Sequence, residues 1–241
     1  MALSSLLFLL LPNLSYADST VNLETTVVSA NRTEQRIENT AVSIDVLPQR
    51  LLTSKSNSRI EQVIQMSPGV TIQDGQANIR SGSGWSLGAG SRVLLLVDDL
   101  PVLSPDAGGA IWNAMPMEAI EQIEIVKGAA SSLYGSSALN GVIHLRTWEP
   151  SDEMRIRVNT MTEIYDQAKI NSLNWSNQVR GQGAIRFAYS DSRGENNKHG
   201  WVFHGQALND QGFQYLVGDE SIRVHGKYRY KPSNNFEIGI N

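Results

Sequence analysis

Apolar residues follow two different spacings, and the change falls near Pro150. Before it, short apolar runs alternate with helical spacing. Ile60, Val63 and Ile64 share one helical face, Ser58 and Glu61 are spaced as a capping box, and Ser67-Pro68-Gly69 is a stop signal. Val93 to Val97 is apolar at every position, which predicts a short strand buried on both faces. Pro116 can open a short helix through Gln122 that leads into a strand over Ile123-Glu124-Ile125-Val126. Another strand is expected over Val142-Ile143-His144-Leu145, after a Gly/Ser-rich turn. Together these elements predict a small α+β domain.

After Pro150 the period is two. Met154, Ile156 and Val158 alternate with Arg155, Arg157 and Asn159, and Leu173 and Trp175 with Asn174 and Ser176. Ile185, Phe187 and Tyr189 alternate with Arg186 and Ser190. The clearest strand sets Ile222, Val224, Gly226, Tyr228 and Tyr230 against Arg223, His225, Lys227, Arg229 and Lys231. Phe236, Ile238 and Ile240 begin a further one. Alternation of this kind fits a soluble sandwich or a membrane barrel equally, although a basic stripe is easier to place on a wet lumen than in a core. The stretch has room for about six strands of ~10 residues with their connections.

At the amino terminus, Leu6 to Leu11 is apolar, Pro12 breaks the run, and Ser15-Tyr16-Ala17 has the small-x-small form of a signal-peptidase site. A spanning helix would need ~20 residues. Residues 1–17 read as a signal peptide, unusual in having no Lys or Arg, with the mature chain beginning at Asp18; a buried amino-terminal helix is the other reading. Next comes Glu24-Thr25-Thr26-Val27-Val28-Ser29-Ala30, a β-prone heptad. It is either a first strand or a free segment able to add to the sheet edge of a partner.

Charge and composition narrow the function classes. A net charge of -4 offers no basic surplus for nucleic acid. With no cysteine, disulfides and thiolate metal sites are excluded. His144, His199, His204 and His225 lack ligand spacing, and no cofactor is called for. An enzyme reading rests on Gly84-Trp85-Ser86-Leu87-Gly88, a G-x-S-x-G pattern with Asp98 and His144 following in hydrolase order. Its context is wrong: Asn78 to Ser83 is polar and Gly-rich where a buried strand is needed, and Gly88-Ala89-Gly90 is a poor helix start.

A set of collinear motifs decides the matter. Glu24 to Ala30 resembles the TonB box of TonB-dependent outer-membrane receptors. Val63 to Val70, Asn78-Ile79-Arg80-Ser81-Gly82, Arg92 to Val102, Glu118 to Gly128, Ser131 to Gly135 and Ala138 to Leu145 resemble the plug of the same family in order and spacing. The resemblance implies an α+β plug domain over residues 40–150, preceded by a TonB box and linker over 18–39. It implies that 151–241 are the first antiparallel strands of an outer-membrane β-barrel, incomplete in this chain. It further implies uptake of a scarce small-molecule ligand (siderophore, haem, cobalamin or glycan, metal chelates included), with TonB and its inner-membrane energy complex as partners. Outer-membrane lipid of a Gram-negative cell surrounds such a receptor. Arg80, Arg92, Glu121, Glu124 and Lys127 are then candidates for ionic plug-to-barrel contacts, with solvated surface charges as the other reading. Trp85 and Trp112, each in a Gly-rich loop, are candidates for ligand stacking or for packing anchors. Four positions depart from the pattern: Ser81 and Asp99 stand where glycines are usual, Lys127 for Arg, and His144 for Asn. Asp98-Asp99 must then turn at positive φ without glycine. An ammonium at Lys127 also loses the bidentate fork of guanidinium.

Overall fold

The computed structural model describes residues 26–27, 29, 32–53, 59–82, 85–86, 90–112, 115, 117–166, 178–194, 197–212, 218–233 and 236–240. The signal-peptide reading, Ser58 and the strand expected around Leu173 and Trp175 lie outside these residues.

In chain order the amino-terminal elements are β1 (Thr26–Val27), β2 (Gln35–Arg36), β3 (Ile44–Pro48), α1 (Gln49–Thr53), α2 (Ile60–Ile64), β4 (Val70–Gln73) and β5 (Gln76–Ile79). They are followed by β6 (Trp85–Ser86), β7 (Gly90–Ser91), β8 (Val93–Val97), β9 (Leu100–Pro101), β10 (Ile120–Lys127), α3 (Ser131–Tyr134) and β11 (Gly141–Thr147). The central sheet has the order β3-β10-β11-β8-β9, with only β11 and β8 parallel. Apolar residues of its strands are buried on both faces. Leu47, Ile123, Ile125, Ile143 and Leu145 pack with Leu52, Ile60, Val63 and Ile64 of the helices. Leu94, Leu96, Val126 and Val142 meet Ala130 and Ala138 on the other side.

Two local expectations shift. The N-cap of α2 is Arg59, with no side-chain cap bond, so Glu61 sits one position too early for the predicted box. The helix expected from Pro116 shrinks to a single turn over Met117–Ala119, and β10 begins at Ile120. Ile120 is fully buried and pairs with Thr147, so sheet pairing outweighs the local helix signal.

The second unit is an antiparallel meander, β12 (Arg155–Tyr165), β13 (Arg180–Arg193), β14 (His199–Asp210), β15 (Asp219–Ser233) and β16 (Phe236–Ile240). One face carries Ile156, Val158, Ile185, Phe187, Phe203, Ile222 and Val224, all exposed, with Ile222 at 82%. Left in water, each would forgo roughly 1.5–3 kcal/mol of burial, so an apolar medium suits this face better. The opposite face, with Arg186, Ser190, His204 and Lys227, is turned to the first unit. There Ala119 and Trp148 form a small core with Ala188 and Val202, and Arg155 and Arg157 stack on the Trp148 ring at 4.9 and 5.0 Å.

Candidate functional site

Strands β10 and β11 present Ile123, Ile125, Ile143 and Leu145 to the helix side, but the other face changes character along its length. Val126 is paired with Val142, Glu124 with His144, and Gln122 with Arg146. This polar patch is buried: Glu124 is 0% exposed. A buried carboxyl must be hydrogen-bonded to be tolerated, and Ser29 supplies part of what it needs. The Ser29 amide donates to Glu124 Oε2 at 2.7 Å, beside Gln122 Nε2 on Oε1 at 2.7 Å and Arg146 at 3.7 Å. Gln122 Nε2 also donates to the Thr26 carbonyl at 3.0 Å, and the Tyr134 hydroxyl to the Ser29 carbonyl at 3.0 Å. Val27 is fully buried and pairs only across β1–β2. Of the heptad, Thr26 and Val27 form a short strand and Ser29 lies in a turn, and these three residues are docked on the sheet face. Glu24, Thr25, Val28 and Ala30 lie outside the described residues.

His144 completes the dock. Its Nε2 accepts the Asp99 amide at 3.2 Å, so in the neutral ring the proton sits on Nδ1 and is donated to Ser29 Oγ, 2.9 Å away. Burial holds the His144 pKa below the usual histidine value, against the opposing pull of the Asp99, Glu124 and Asp98 carboxylates. The Asp98–Asp99 turn has φ of 47° and 66°, the left-handed conformation the sequence required of two non-glycine residues. Asp98 secures it by accepting from Thr147 N at 2.9 Å and Thr147 Oγ1 at 2.6 Å.

Among the described residues, several charged contacts join the two units. Lys227 of β15 reaches Asp98 at 2.9 Å and Glu149 at 3.1 Å. Arg157 donates to the Glu118 carbonyl at 3.3 Å, while burial raises the Glu118 carboxyl pKa against the nearby Arg186 and Arg157 charges. Arg59 meets Asp210 at 3.5 Å. None of these was among the five ionic candidates. Glu124 and Lys127 are engaged inside the first unit instead. Lys127 lies 2.5 Å from Asp45 and donates to the Pro68 carbonyl at 2.7 Å, because its side chain points to the helix side of β10. Burial raises the Asp45 pKa, but bonds from Lys127 and Ser67 and the charges of Lys127 and Arg80 outweigh it and hold the carboxyl low. Arg80 donates to Ser43 Oγ at 2.6 Å, Arg92 is half-buried beside β8, and Glu121 is exposed on β10. A signal for the true contacts was present in Asp98, Glu118 and Lys227, charged residues abutting apolar runs, but nothing in the sequence pairs them.

The two tryptophans differ. Trp112 is packed in the core with its ring N–H on the Gly75 carbonyl at 2.6 Å, and only an edge lines a cavity of about 250 Å³ shared with Met115, Arg186, Gln206 and Asp210. Trp85 is 37% exposed, its ring N–H on the Ala107 carbonyl at 3.2 Å. The hydrolase constellation does not assemble. Both ring nitrogens of His144 are engaged by Ser29 and Asp99, and Asp98 by Thr147 and Lys227, so Ser86 on β6 has neither partner.

Comparison with known proteins agrees with this geometry. Residues 36–142 match the model of the TonB-dependent receptor plug domain. Over 175 residues the chain is 31% identical to the vitamin B12 transporter BtuB of Vibrio vulnificus, covering 71% of this chain and 28% of that protein. It is 28% identical over 170 residues to the metal-pseudopaline receptor CntO of Pseudomonas aeruginosa, covering 69% of this chain and 23% of the relative. Among solved structures, the siderophore receptor PirA of Pseudomonas aeruginosa superposes with a TM-score of 0.62 at 22% identity, over 79% of this chain and 31% of that one. The chain spans about a quarter of the length of the curated relatives it matches.

Proposed function

Because the chain belongs to the TonB-dependent receptor family, we propose that residues 40–150 act as the plug of an outer-membrane transporter whose wall includes β12–β16. Residues 18–39 link this plug to its energy source. Residues 1–17 direct export, and the apolar face of the meander lies against outer-membrane lipid of a Gram-negative cell. The cargo is a scarce small molecule of the cobalamin, siderophore, haem or glycan kind, metal chelates included. Of the two tryptophans, the exposed Trp85 is the one offered to it, while Trp112 is a packing anchor of the plug core. Arg80, Arg92 and Glu121 remain the plug charges offered to wall strands beyond β16. No covalent step is involved. Cargo binding changes which plug contacts are held, and TonB captures Glu24 to Ala30 by strand addition and draws on the plug.

The observation carrying this reading is the docked heptad. The Thr26 carbonyl, the Ser29 amide and the Ser29 carbonyl are bonded by the side chains of Gln122, Glu124 and Tyr134, and Thr26 and Val27 pair across the two-residue strand β2, so a partner strand can take over these bonds. Val27→Pro tests it. Proline removes a ladder donor, and the variant should lose capture by TonB in a pull-down while Ile125 and Ile143 keep their amide protection. Undiminished capture by Val27→Pro contradicts strand addition.

A further inference from the structure

The dock of the coupling segment and the seat of the plug on the wall share a component, the Asp98–Asp99 turn. On one side, the Asp99 amide donates to His144 Nε2 at 3.2 Å, which leaves Nδ1 to serve Ser29 Oγ at 2.9 Å. On the other, the Asp98 carboxyl faces Lys227 of β15 at 2.9 Å, with the two side chains only 16% and 10% exposed. We propose that Lys227 is a positioning residue for the coupling segment, acting from the wall through the Asp98–Asp99 turn and His144 on Ser29. This rests on the reading of residues 24–30 as the coupling segment, but its physical content is independent of TonB.

Three features make the connection directional. The turn is held in left-handed backbone at two non-glycine residues, a conformation that persists only where surroundings enforce it. The β8–β9 pairing of Val97 with Leu100 and the Asp98 amide on the Leu145 carbonyl at 3.1 Å set it, and Thr147 and Lys227 hold the Asp98 carboxyl in place. The imidazole is buried and its two nitrogens differ in role, so loss of the Asp99 donor frees the tautomer that Ser29 depends on. When the wall moves away from Asp98, the turn relaxes, Asp99 N–H leaves Nε2, and the bond to Ser29 Oγ is no longer guaranteed. Separation of the plug from β15 therefore loosens the segment from within, before any partner has touched it.

Amide exchange at Ser29 in the 241-residue chain in detergent micelles tests this, with Ile125 and Ile143 as internal references for the sheet. Lys227→Met should speed exchange at Ser29 by about tenfold, the middle of the range for contacting networks, with the references unchanged. Glu149→Gln, which removes the other acidic partner of Lys227, should leave Ser29 exchange as it is. In a His144→Leu background the Lys227→Met effect should vanish. Asp98→Asn supplies the same comparison should Lys227→Met lose protection at the references. Unaltered exchange at Ser29 in the folded variant, an equal effect from Glu149→Gln, or an effect that survives His144→Leu each overturns the proposal. Failure of TonB to bind the segment would leave these exchange rates untouched and would count against the coupling reading alone.

Discussion

Asp98 and Lys227 face each other at 2.9 Å across the boundary between the amino-terminal domain and the strand meander. One belongs to a strained turn of the first unit and the other to the water-side face of a membrane-type strand. Both are largely withdrawn from solvent, and Lys227 is the cation facing the Asp98 carboxylate, so that carboxylate is poorly tolerated without it.

Removing the ammonium should therefore cost more than removing an exposed one. Lys227→Met is expected to lower the unfolding free energy by about 2–4 kcal/mol, because the Asp98 carboxyl stays behind. Lys231→Met breaks a pair with Glu237 that is 42% and 48% exposed and should cost less than about 1 kcal/mol. Urea unfolding in detergent micelles measures both. Equal midpoints for the two variants would show that the Asp98 seat contributes no more than a surface pair.

The buried imidazole of His144 gives the domain a pH dependence with a definite sign. Burial places its folded pKa below the usual value, so the unfolded chain binds the proton more readily. The resulting stability is complete above the unfolded histidine pKa of about 6.5 and is lost as pH falls through that value towards the folded one. Between pH 7.5 and 5.5 the parent chain should lose stability that His144→Asn does not lose. Parallel pH profiles for the two would remove His144 from the account.

Ser86 should be chemically inert. A serine-directed fluorophosphonate should leave the chain unlabelled, since the only histidine ordered near a serine hydroxyl among the described contacts is bonded to Ser29. Stoichiometric labelling of Ser86 would restore the hydrolase reading.

How much of this was legible in the sequence depended on whether the signal was local. Val93–Val97 and the alternation through Ile222–Tyr230 were readable because burial on two faces, or on one, imprints directly on residue type. The strand β14 was not read. Its outward positions include Gly205, where apolar cover comes from the Phe187 ring of β13; a Cβ there would meet that ring at 2.5 Å. At that position the neighbour carries the hydrophobic signal, which breaks the alternation after Trp201 and Phe203. The motif resemblance located the coupling heptad and the sheet, but not the dock. Ser29 and Glu124 are separated by 95 positions and Ser29 and His144 by 115, and no periodicity spans such distances. What could have been noticed is that Gln122, Glu124, His144 and Arg146 occupy alternate positions of strands otherwise apolar. Such a patch calls for a polar cover, and the ionic role assigned to Glu124 and Lys127 at the barrel overlooked it.

On the proposed function, the segment docked through Thr26, Val27 and Ser29 leaves that dock to form a strand with TonB. The chain contains no cysteine, so single cysteines at Thr26, Val27 and Ser29 each report without interference. Disulfide trapping against cysteines placed along an edge strand of TonB is the most direct measurement. The account predicts trapping in a single register, advancing one partner position per residue, and suppressed by Val27→Pro. Trapping with no register, or only with the exposed flank at Arg32 to Glu34, would show that the docked residues are not the coupling segment.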